Sequence, residues 1–209
     1  MRDPLGYIID KWDLKHTRMS WVPIMIPNTT RRDLTLLYAE LGYRKGAEIG
    51  VDMGSNALRI NRANPDCLLY CIDLWERYDG LNGGYRLKRD DAYALAKERL
   101  DPIENVSIIR KSSMDALEHF EDESLDFVFI DANHELPYVT QDIFFWAQKV
   151  KPGGIVSGHD YVTSRRAHKH VQVASAVHGY TEAYGITPWF VVDKAEWPDH
   201  PGSFFWVKL

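Results

Sequence analysis

Short apolar runs alternate along the chain with segments whose apolar residues recur every three or four positions. Apolar runs of this length are typical of strands buried on both faces, and a three-to-four-residue period is typical of amphipathic helices. The runs predict strands over 47–49, 67–73, 105–110, 125–130 and 155–158. The periodic segments predict helices over 30–41, 55–63, 88–100, 139–150 and 166–179. Strands that alternate with helices indicate an α/β protein with a mostly parallel sheet.

The last two apolar runs, 188–192 and 203–207, are joined by a segment that is too short for a crossover helix. A parallel connection needs about ten or more residues, so these two strands are predicted to form an antiparallel hairpin. Residues 1–29 contain tryptophans and prolines without a sustained period. We therefore predict one α/β domain over 30–209, preceded by an irregular or partly helical arm that packs on the domain or covers its cleft.

The first predicted strand leads into a turn with two glycines, Glu48-Ile49-Gly50-Val51-Asp52-Met53-Gly54, and then into a helix. Glycine lets the backbone approach a ligand closely, and the first turn of the helix directs free N–H groups towards it. The next strand ends at Asp73, where nucleotide-binding folds place a carboxylate for ribose hydroxyls. Asp131 and Asp160 also end predicted parallel strands, so these carboxylates and Glu48 are predicted to face one cleft.

These motifs, together with the segments 129–134 (Phe-Ile-Asp-Ala-Asn-His) and 151–161 (Lys-Pro-Gly-Gly-Ile-Val-Ser-Gly-His-Asp-Tyr), resemble those of class I S-adenosylmethionine-dependent methyltransferases. The similar branch contains small-molecule and sugar O-methyltransferases of the macrocin type. The resemblance covers residues 30–209 and implies a Rossmann-like, doubly wound sheet of seven strands, mostly parallel with the last strand antiparallel, with helices on both faces. It also implies methyl transfer from S-adenosylmethionine to a hydroxyl of a small molecule, such as a sugar or secondary metabolite.

The resemblance assigns roles towards the cofactor to several residues. It implies that Asp73 accepts hydrogen bonds from the ribose hydroxyls, while Gly50 and Gly54 allow close packing and Glu48 orders the turn or holds the amino group. It places the adenine ring near Ser113 and Met114, although Ser112 or Ser113 also fits the N-cap of a short helix. Asp131 belongs to the cofactor site as well as to the reacting centre.

Two chemical routes to methyl transfer remain open from the sequence. In one, Asp131, His159 and Asp160 hold a divalent cation such as Mg²⁺, which binds the acceptor hydroxyl and lowers its pKa. Histidine is a softer ligand than carboxylate, so His159 shifts the expected metal towards a transition metal. In the other route, His134 or His159 acts as a general base without a metal. Some members of the similar family carry an acidic residue at the position of Asn133, whose amide cannot act as a base, so the resemblance makes His134 a candidate beside His159.

Two further segments each have two interpretations. Residues 75–85 form a loop rich in glycine and aromatic residues beyond Asp73, which is either a lid over the substrate or a mobile surface loop. Residues 165–170 (Arg-Arg-Ala-His-Lys-His) either contact a phosphate or carboxylate on the acceptor or form the solvated start of a helix.

Composition limits the classes of partner. The 209 residues carry a formal net charge of −5, which disfavours nonspecific binding to nucleic acid. No run approaches the roughly twenty apolar residues of a membrane span, and the charged N-terminal residues do not form a signal peptide, so we expect a cytoplasmic protein that does not bind membranes. Cys67 and Cys71 are expected to be buried reduced thiols. Trp197, Phe205 and Trp206 suit either a homodimer face or the core.

Three functions are therefore compared. The first is an S-adenosylmethionine-dependent methyltransferase that acts on a small-molecule hydroxyl. The second is a noncatalytic protein that keeps the fold and binds the cofactor. The third is a nucleotide-dependent oxidoreductase, which is disfavoured because Gly50 and Gly54 do not reproduce the Gly-x-Gly-x-x-Gly spacing of nicotinamide enzymes.

Overall fold

The computed structural model describes residues 3–14, 22–76, 88–163, 170–193 and 202–209. Within these ranges the chain forms six α-helices and one sheet of eight strands. The strands are β1 Ile24–Pro27, β2 Lys45–Ile49, β3 Leu68–Asp73, β4 Val106–Arg110, β5 Leu125–Ile130, β6 Val150–Tyr161, β7 Phe190–Asp193 and β8 Gly202–Val207. The helices are α1 Pro4–Lys11, α2 Arg31–Glu40, α3 Ser55–Ala63, α4 Arg89–Leu100, α5 Leu136–Lys149 and α6 Val173–Ala183, with a 3₁₀ helix over Asp115–His119.

The strand order is β1-β7-β8-β6-β5-β2-β3-β4. Every neighbouring pair is parallel except the two that β8 forms, with β6 and with β7, which are antiparallel. This confirms the Rossmann-like α/β class, the mostly parallel sheet, the reversed last strand and the C-terminal hairpin.

The predicted count of seven strands is wrong by one. The additional strand, β1, comes from the predicted arm and pairs in parallel with β7 at the edge of the sheet, with Ile24 opposite Phe190. Its four residues end at Pro27 and directly follow Pro23, so they show neither a sustained apolar run nor an alternating pattern. An edge strand has a neighbour on one side alone, so it requires neither a long apolar run nor a strict alternation of apolar and polar residues. The sequence pattern therefore did not reveal β1.

Helices cover both faces of the sheet and enclose two apolar cores. One core joins the sheet to α1, α2, α3 and α4, with Tyr38 of α2 stacked on Phe127 of β5 at a ring-centroid distance of 4.0 Å. The other core joins the sheet to α5 and α6, with Trp146 of α5 fully buried. Phe205 and Trp206 of β8 are buried on these opposite faces and therefore belong to the core.

Two element boundaries differ from the prediction. The strand predicted over 155–158 is longer in the structure, because β6 runs from Val150 to Tyr161, and it pairs with β5 through an irregular register between Leu125 and Phe127. Helix α6 runs from Val173 past Gly179 to Ala183, whereas the predicted helix start at Arg166 lies outside the described residues. None of the helices formed by the described residues combines the length and apolar character needed to cross a membrane.

The chain reverses its winding direction at β2. From β2 it proceeds through β3 to β4 on one side, and then returns to the other side of β2 to form β5 and β6. Ile49 of β2 lies opposite Ile72 of β3 and opposite Ile130 of β5, so the carboxyl ends of these three strands are level. Open α/β sheets bind ligands at this switch point, beyond the carboxyl ends of the strands.

Candidate active site

A cavity of about 770 Å³ opens at the switch point. Its walls come from the turn after β2, the ends of β3 and β5, the first residue of α2, the segment after β4 and one side of α5. A volume of this size is typical of pockets for small molecules and cofactors, which range over roughly 300–1,000 Å³. Among the residues predicted from the sequence, the cavity is lined by Glu48, Gly50, Asp73, Ser113, Met114, Asp131 and His134.

The two glycines of the first turn fulfil different structural requirements. Gly50 has a φ of +89°, and a Cβ at this position would overlap the main chain of Asp131 and Ala132. Gly54 has a φ of +77°, forms the N-cap of α3 and packs against Leu100 of α4. Gly50 therefore allows the turn to lie directly on the end of β5, while Gly54 allows the chain to enter α3.

Asp73 organises the same turn through its carboxylate. One oxygen, Oδ2, accepts hydrogen bonds from the backbone N–H groups of Val51 and Asp52 at 3.0 and 2.9 Å. The other, Oδ1, accepts from the backbone N–H of Trp75 at 2.8 Å. A carboxylate has about four acceptor sites, so Asp73 keeps capacity for a ligand hydroxyl while it holds the turn in place.

Glu48 is buried, and its side chain carries a polar atom without a protein partner. Its Oε1 accepts a hydrogen bond from Asn56 Nδ2 at 2.9 Å, whereas Oε2 has no hydrogen-bond partner among the described residues. Burial raises the pKa of Glu48 to about 8, and the hydrogen bond from Asn56 offsets part of that increase. A buried carboxylate oxygen of this kind is expected to meet a ligand or a proton.

Beyond β5 and β6, two carboxylates surround the imidazole of His134. His134 Nε2 lies 3.4 Å from Asp131 Oδ1 and 2.9 Å from Asp160 Oδ2. One ligand atom from each of these three residues lies within 4.8 Å of the others, an arrangement that suits a metal ion. The loop after β5 supplies Asp131 and His134, and Asp160 comes from the end of β6.

The predicted metal set contained His159 in place of His134. In the structure His159 is buried, and its Nδ1 lies 3.5 Å from Asp160 Oδ1, the carboxylate oxygen that does not face His134. Neither His159 nor Asp160 belongs to the cavity walls formed by the described residues, but Asp160 contacts His134, which does. Asp160 has a φ of +55° at an irregularity in the pairing of β6 with β8, so it bridges the two histidines.

The two carboxylates favour the protonated form of His134. Burial by itself would lower the pKa of His134, but the hydrogen bonds and charges of Asp131 and Asp160 outweigh it and raise the pKa to about 10. In the opposite sense, burial would raise the pKa of Asp160, while hydrogen bonds to His134 and His159 and their charges hold it well below its ordinary value. At neutral pH the cluster is therefore a carboxylate–imidazolium–carboxylate arrangement.

The segment after β4 resolves which serine caps the 3₁₀ helix. Ser112 Oγ accepts a hydrogen bond from the backbone N–H of Asp115 at 3.1 Å, so Ser112 is the cap. Ser113 and Met114 line the cavity, and the Ser113 side chain hydrogen-bonds to Asp142 of α5. Burial raises the pKa of Asp142 to about 6, and the bond to Ser113 offsets part of the increase.

Several polar residues that line the cavity were not predicted from the sequence, among them Arg31, Asn56 and Asp142. Asn56 follows Gly54 closely, so its place in the first turn of α3 was the signal that could have revealed it. Arg31 and Asp142 lie on α2 and α5, where no motif marks them, and only the packing of those helices brings them to the cavity.

Two predicted segments fall mainly outside the described residues. Of the predicted lid over 75–85, the structure describes only Trp75 and Glu76, and Trp75 is buried with its Nε1 donating to the carbonyl of Asp52 at 2.7 Å. Of the basic segment 165–170, it describes only His170, which lines the cavity. Trp197 also lies outside the described residues.

Comparison with known proteins gives one family. A model described as a methyltransferase domain matches residues 47–161, which is more than half of the chain and includes the Gly turn and the Asp131–Asp160 segment. Among curated protein sequences, none matches the chain.

Solved structures share the fold over nearly the whole chain. The O-methyltransferase TomG of Streptomyces achromogenes, in complex with SAM, superposes with a TM-score of 0.63 at 19% identity, covering 100% of this chain and 91% of that one. The O-methyltransferase of Bacillus cereus, in complex with SAH, superposes with a TM-score of 0.64 at 16% identity, covering 100% of this chain and 92% of that one. The N-methyltransferase NodS of Bradyrhizobium japonicum superposes with a TM-score of 0.54 at 16% identity, covering 84% of this chain and 91% of that one. At these identities the likeness establishes the fold, which serves both oxygen and nitrogen acceptors.

Proposed function

Because the chain belongs to the methyltransferase domain family, we propose that it transfers a methyl group from S-adenosylmethionine to a hydroxyl oxygen of a small molecule. The observation that carries the proposal is the continuity of one cavity past the Gly turn, Asp73, Ser113 and the Asp131–His134 pair. An elongated ligand that consists of a base, a ribose and an amino-acid end would require groups of these kinds along its length.

The residues of the cavity suit the parts of this cofactor. The free acceptor capacity of Asp73 suits the ribose hydroxyls, and the unpartnered Oε2 of Glu48 suits the ammonium of the amino-acid end. Ser113 and Met114, which line the cavity after the end of β4, would contact the adenine ring. The absence of a pyrophosphate from the cofactor agrees with a turn that Asp73 and Gly50 hold closed, since Asp73 already occupies two of the backbone N–H groups there.

The acceptor is proposed to bind at the Asp131–His134–Asp160 end of the cavity. Methyl transfer needs the acceptor oxygen in line with the methyl group and needs removal of the hydroxyl proton. His134, held as an imidazolium between two carboxylates, already carries its proton and has no lone pair for the acceptor's proton in that state. A metal ion would have to displace the same proton. The metal-dependent route is therefore preferred because three ligand atoms converge here, not because His134 is protonated.

A divalent metal fits the donor set of this cluster. Asp131 and Asp160 would supply carboxylate oxygens and His134 an imidazole nitrogen, in place of the His159 ligand expected from the sequence. A mixed nitrogen and oxygen set suits Mn²⁺, Fe²⁺ or Zn²⁺ better than Mg²⁺. When bound, the metal would act as a Lewis acid that lowers the pKa of the acceptor hydroxyl. Asp131 and Asp160 would then orient the metal, and the ends of β5 and β6 would fix the positions of these two carboxylates.

The first test is calorimetric titration with S-adenosylhomocysteine and, separately, with NADH. We expect micromolar binding of S-adenosylhomocysteine to the wild type, and a loss of about 100-fold or more in Asp73→Ala, because the ribose contact and the support of the turn are both removed. Asp73→Asn keeps the shape of the side chain, so its affinity for S-adenosylhomocysteine is expected to lie between that of the wild type and that of Asp73→Ala. Asp91→Ala, on the exposed side of α4, is the control and should bind as the wild type does.

Each alternative function has its own outcome in this experiment. Preference for NADH would support the oxidoreductase, and full affinity in Asp73→Ala would contradict the site assignment. The noncatalytic protein would be supported by tight binding of S-adenosylhomocysteine together with a lack of turnover, in which no S-adenosylhomocysteine forms from S-adenosylmethionine with any phenol or sugar of an acceptor panel.

The metal is tested by turnover with the same acceptor panel. EDTA is expected to remove at least about 90% of the activity, and Mn²⁺ is expected to restore more of it than Mg²⁺ because of the imidazole ligand. His134→Ala should lose the preference for Mn²⁺, whereas Asp122→Ala, an exposed carboxylate beside Lys149, should keep it. Equal activity with EDTA and with either metal would contradict the metal-dependent route.

A further inference from the structure

Arg31 occupies a defined place at the entrance of α2. Thr30 is the N-cap of this helix, and a capping box joins Thr30 to Asp33, with the Thr30 backbone N–H donating to Asp33 Oδ2 at 2.8 Å. Arg31 is the first helical residue, and its side chain extends to the wall of the cavity, where it is 24% exposed. The capping box therefore fixes the point from which the guanidinium reaches the site.

The guanidinium lies among carboxylates but does not pair closely with any of them. Its Nη1 is 4.0 Å from Asp131 Oδ2, at the outer limit of an ion pair. It exerts an electrostatic influence on Glu48, although no ion pair joins the two side chains within the described part of the chain. Arg31 therefore adds positive charge to this wall without being neutralised by a bidentate partner.

Two buried polar atoms of opposite charge type remain without partners at this end of the cavity. They are Nε of Arg31, a donor, and Oε2 of Glu48, an acceptor, and neither has a hydrogen-bond partner among the residues that the structure describes. Glu48 itself is only 1% exposed. Leaving such groups unpaired costs free energy, so a ligand that supplies both a donor and an acceptor would stabilise this wall.

We propose that Arg31 binds the carboxylate of the cofactor's amino-acid end, while Glu48 binds the ammonium of the same group. The inference rests on the proposed function, and it assigns to α2 a residue that lies outside the matched segment 47–161. An α-amino acid carries an ammonium and a carboxylate on one carbon atom. A guanidinium and a carboxyl group that the ammonium would keep ionised therefore match it on the same wall. Arg31 lines the same cavity as Glu48 and acts on it electrostatically, so we assign Arg31 to the cofactor rather than to an acidic acceptor.

The test separates the carboxylate from the rest of the ligand. Titrations use S-adenosylhomocysteine and 5′-[(3-aminopropyl)thio]adenosine, which differs from it only by the missing carboxylate. Arg31→Gln is expected to lower the affinity for S-adenosylhomocysteine by about 10- to 100-fold, because a charge-assisted hydrogen bond is lost. The affinity for the analogue is expected to change by less than about twofold. Arg31→Lys should recover part of the loss.

The control is Arg32→Gln, which removes the same charge from the exposed neighbouring position of α2 and should leave both affinities unchanged. Equal weakening of both ligands by Arg31→Gln would overturn the proposal in favour of a structural role. Unchanged binding of both, with a raised KM for the acceptor, would overturn it in favour of acceptor binding. A wild-type protein that does not bind S-adenosylhomocysteine would overturn the proposed function itself, and the Arg31 assignment with it.

Discussion

At the scale of residues, the position of a side chain in the strand-end cluster depends on local backbone geometry more than on residue type. His159 and Asp160 are neighbours in the sequence, yet His159 is buried away from the cavity and Asp160 faces His134. The strand alternates its side chains, and the positive φ of Asp160 at the irregular pairing with β8 turns its carboxylate. The sequence identified Asp131 and Asp160 because both end strands, but it could not show which histidine would join them.

Asp142 provides a prediction about stability and pH. Its pKa in the folded protein, about 6, lies above the ordinary value because the carboxyl is buried. The resulting contribution to stability is therefore fully present below about pH 4 and is lost as pH rises through 6, where the fold must bury a charge. Asp142→Asn is expected to raise the free energy of unfolding by on the order of 2 kcal/mol at pH 8 and to have little effect at pH 4.

The measurement for Asp142 is the melting temperature between pH 4 and pH 8. Asp91→Asn, at an exposed position of α4, serves as the control and should show no pH-dependent difference from the wild type. A difference between Asp142→Asn and the wild type that is the same at both ends of the pH range would contradict the burial of an ionisable carboxyl.

At the scale of elements, the turn between β2 and α3 is confined by its surroundings. Asp73 accepts from two backbone N–H groups of the turn, Trp75 donates to the carbonyl of Asp52, and Arg89 Nη2 lies 2.8 Å from Asp52 Oδ1. These contacts come from β3, the segment after it and α4, so the turn is supported from three directions. We infer that the turn is preorganised before any ligand binds.

Gly50 tests the packing of this turn on β5. Gly50→Ala would place a Cβ against the main chain of Asp131 in addition to the strain of a positive φ. Gly42→Ala, at a φ of +73° with no atom within 4 Å of the added Cβ, carries the strain alone. We expect Gly42→Ala to cost about 1–2 kcal/mol and Gly50→Ala to cost at least about 3 kcal/mol.

Urea unfolding of the two glycine variants gives the comparison directly. The cost of Gly50→Ala in excess of that of Gly42→Ala is the steric part, because the two positions share the left-handed backbone. Equal costs at the two positions would mean that the turn does not lie against the end of β5.

The elements were predictable to different degrees. Long apolar runs such as Leu125–Ile130 and sustained helical periods such as that of α5 identified their elements because burial imposes the pattern directly. Strand β1 has four residues at a sheet edge, and the start of α6 at Val173 is not marked by a side-chain cap. Arg31 and Asp142 were missed for a related reason, because helices α2 and α5 bring them to the cavity through packing that no local motif records.

At the scale of the whole molecule, the reversal of winding at β2 explains why sequence-distant residues form one site. Glu48, Asp73 and Asp131 are separated along the chain, but β3 and β5 flank β2 and end level with it. The ordered strand-end carboxylates in the sequence therefore predicted where the cavity lies, given only the general rule for open α/β sheets. The two cores on opposite faces hold this edge in register without contributing polar groups to it.

The position of β8 in the sheet also constrains the order in which the strands can pair while the protein is being synthesised. Strands β1 and β7 reach the rest of the sheet only through β8, which is made after both of them. As the polypeptide leaves the ribosome, β2 to β6 can associate in the order in which they appear, whereas β1 must wait for nearly 180 further residues to be made. Until then the edge of β6 that β8 later covers stays open to other chains, and only the completed hairpin closes it.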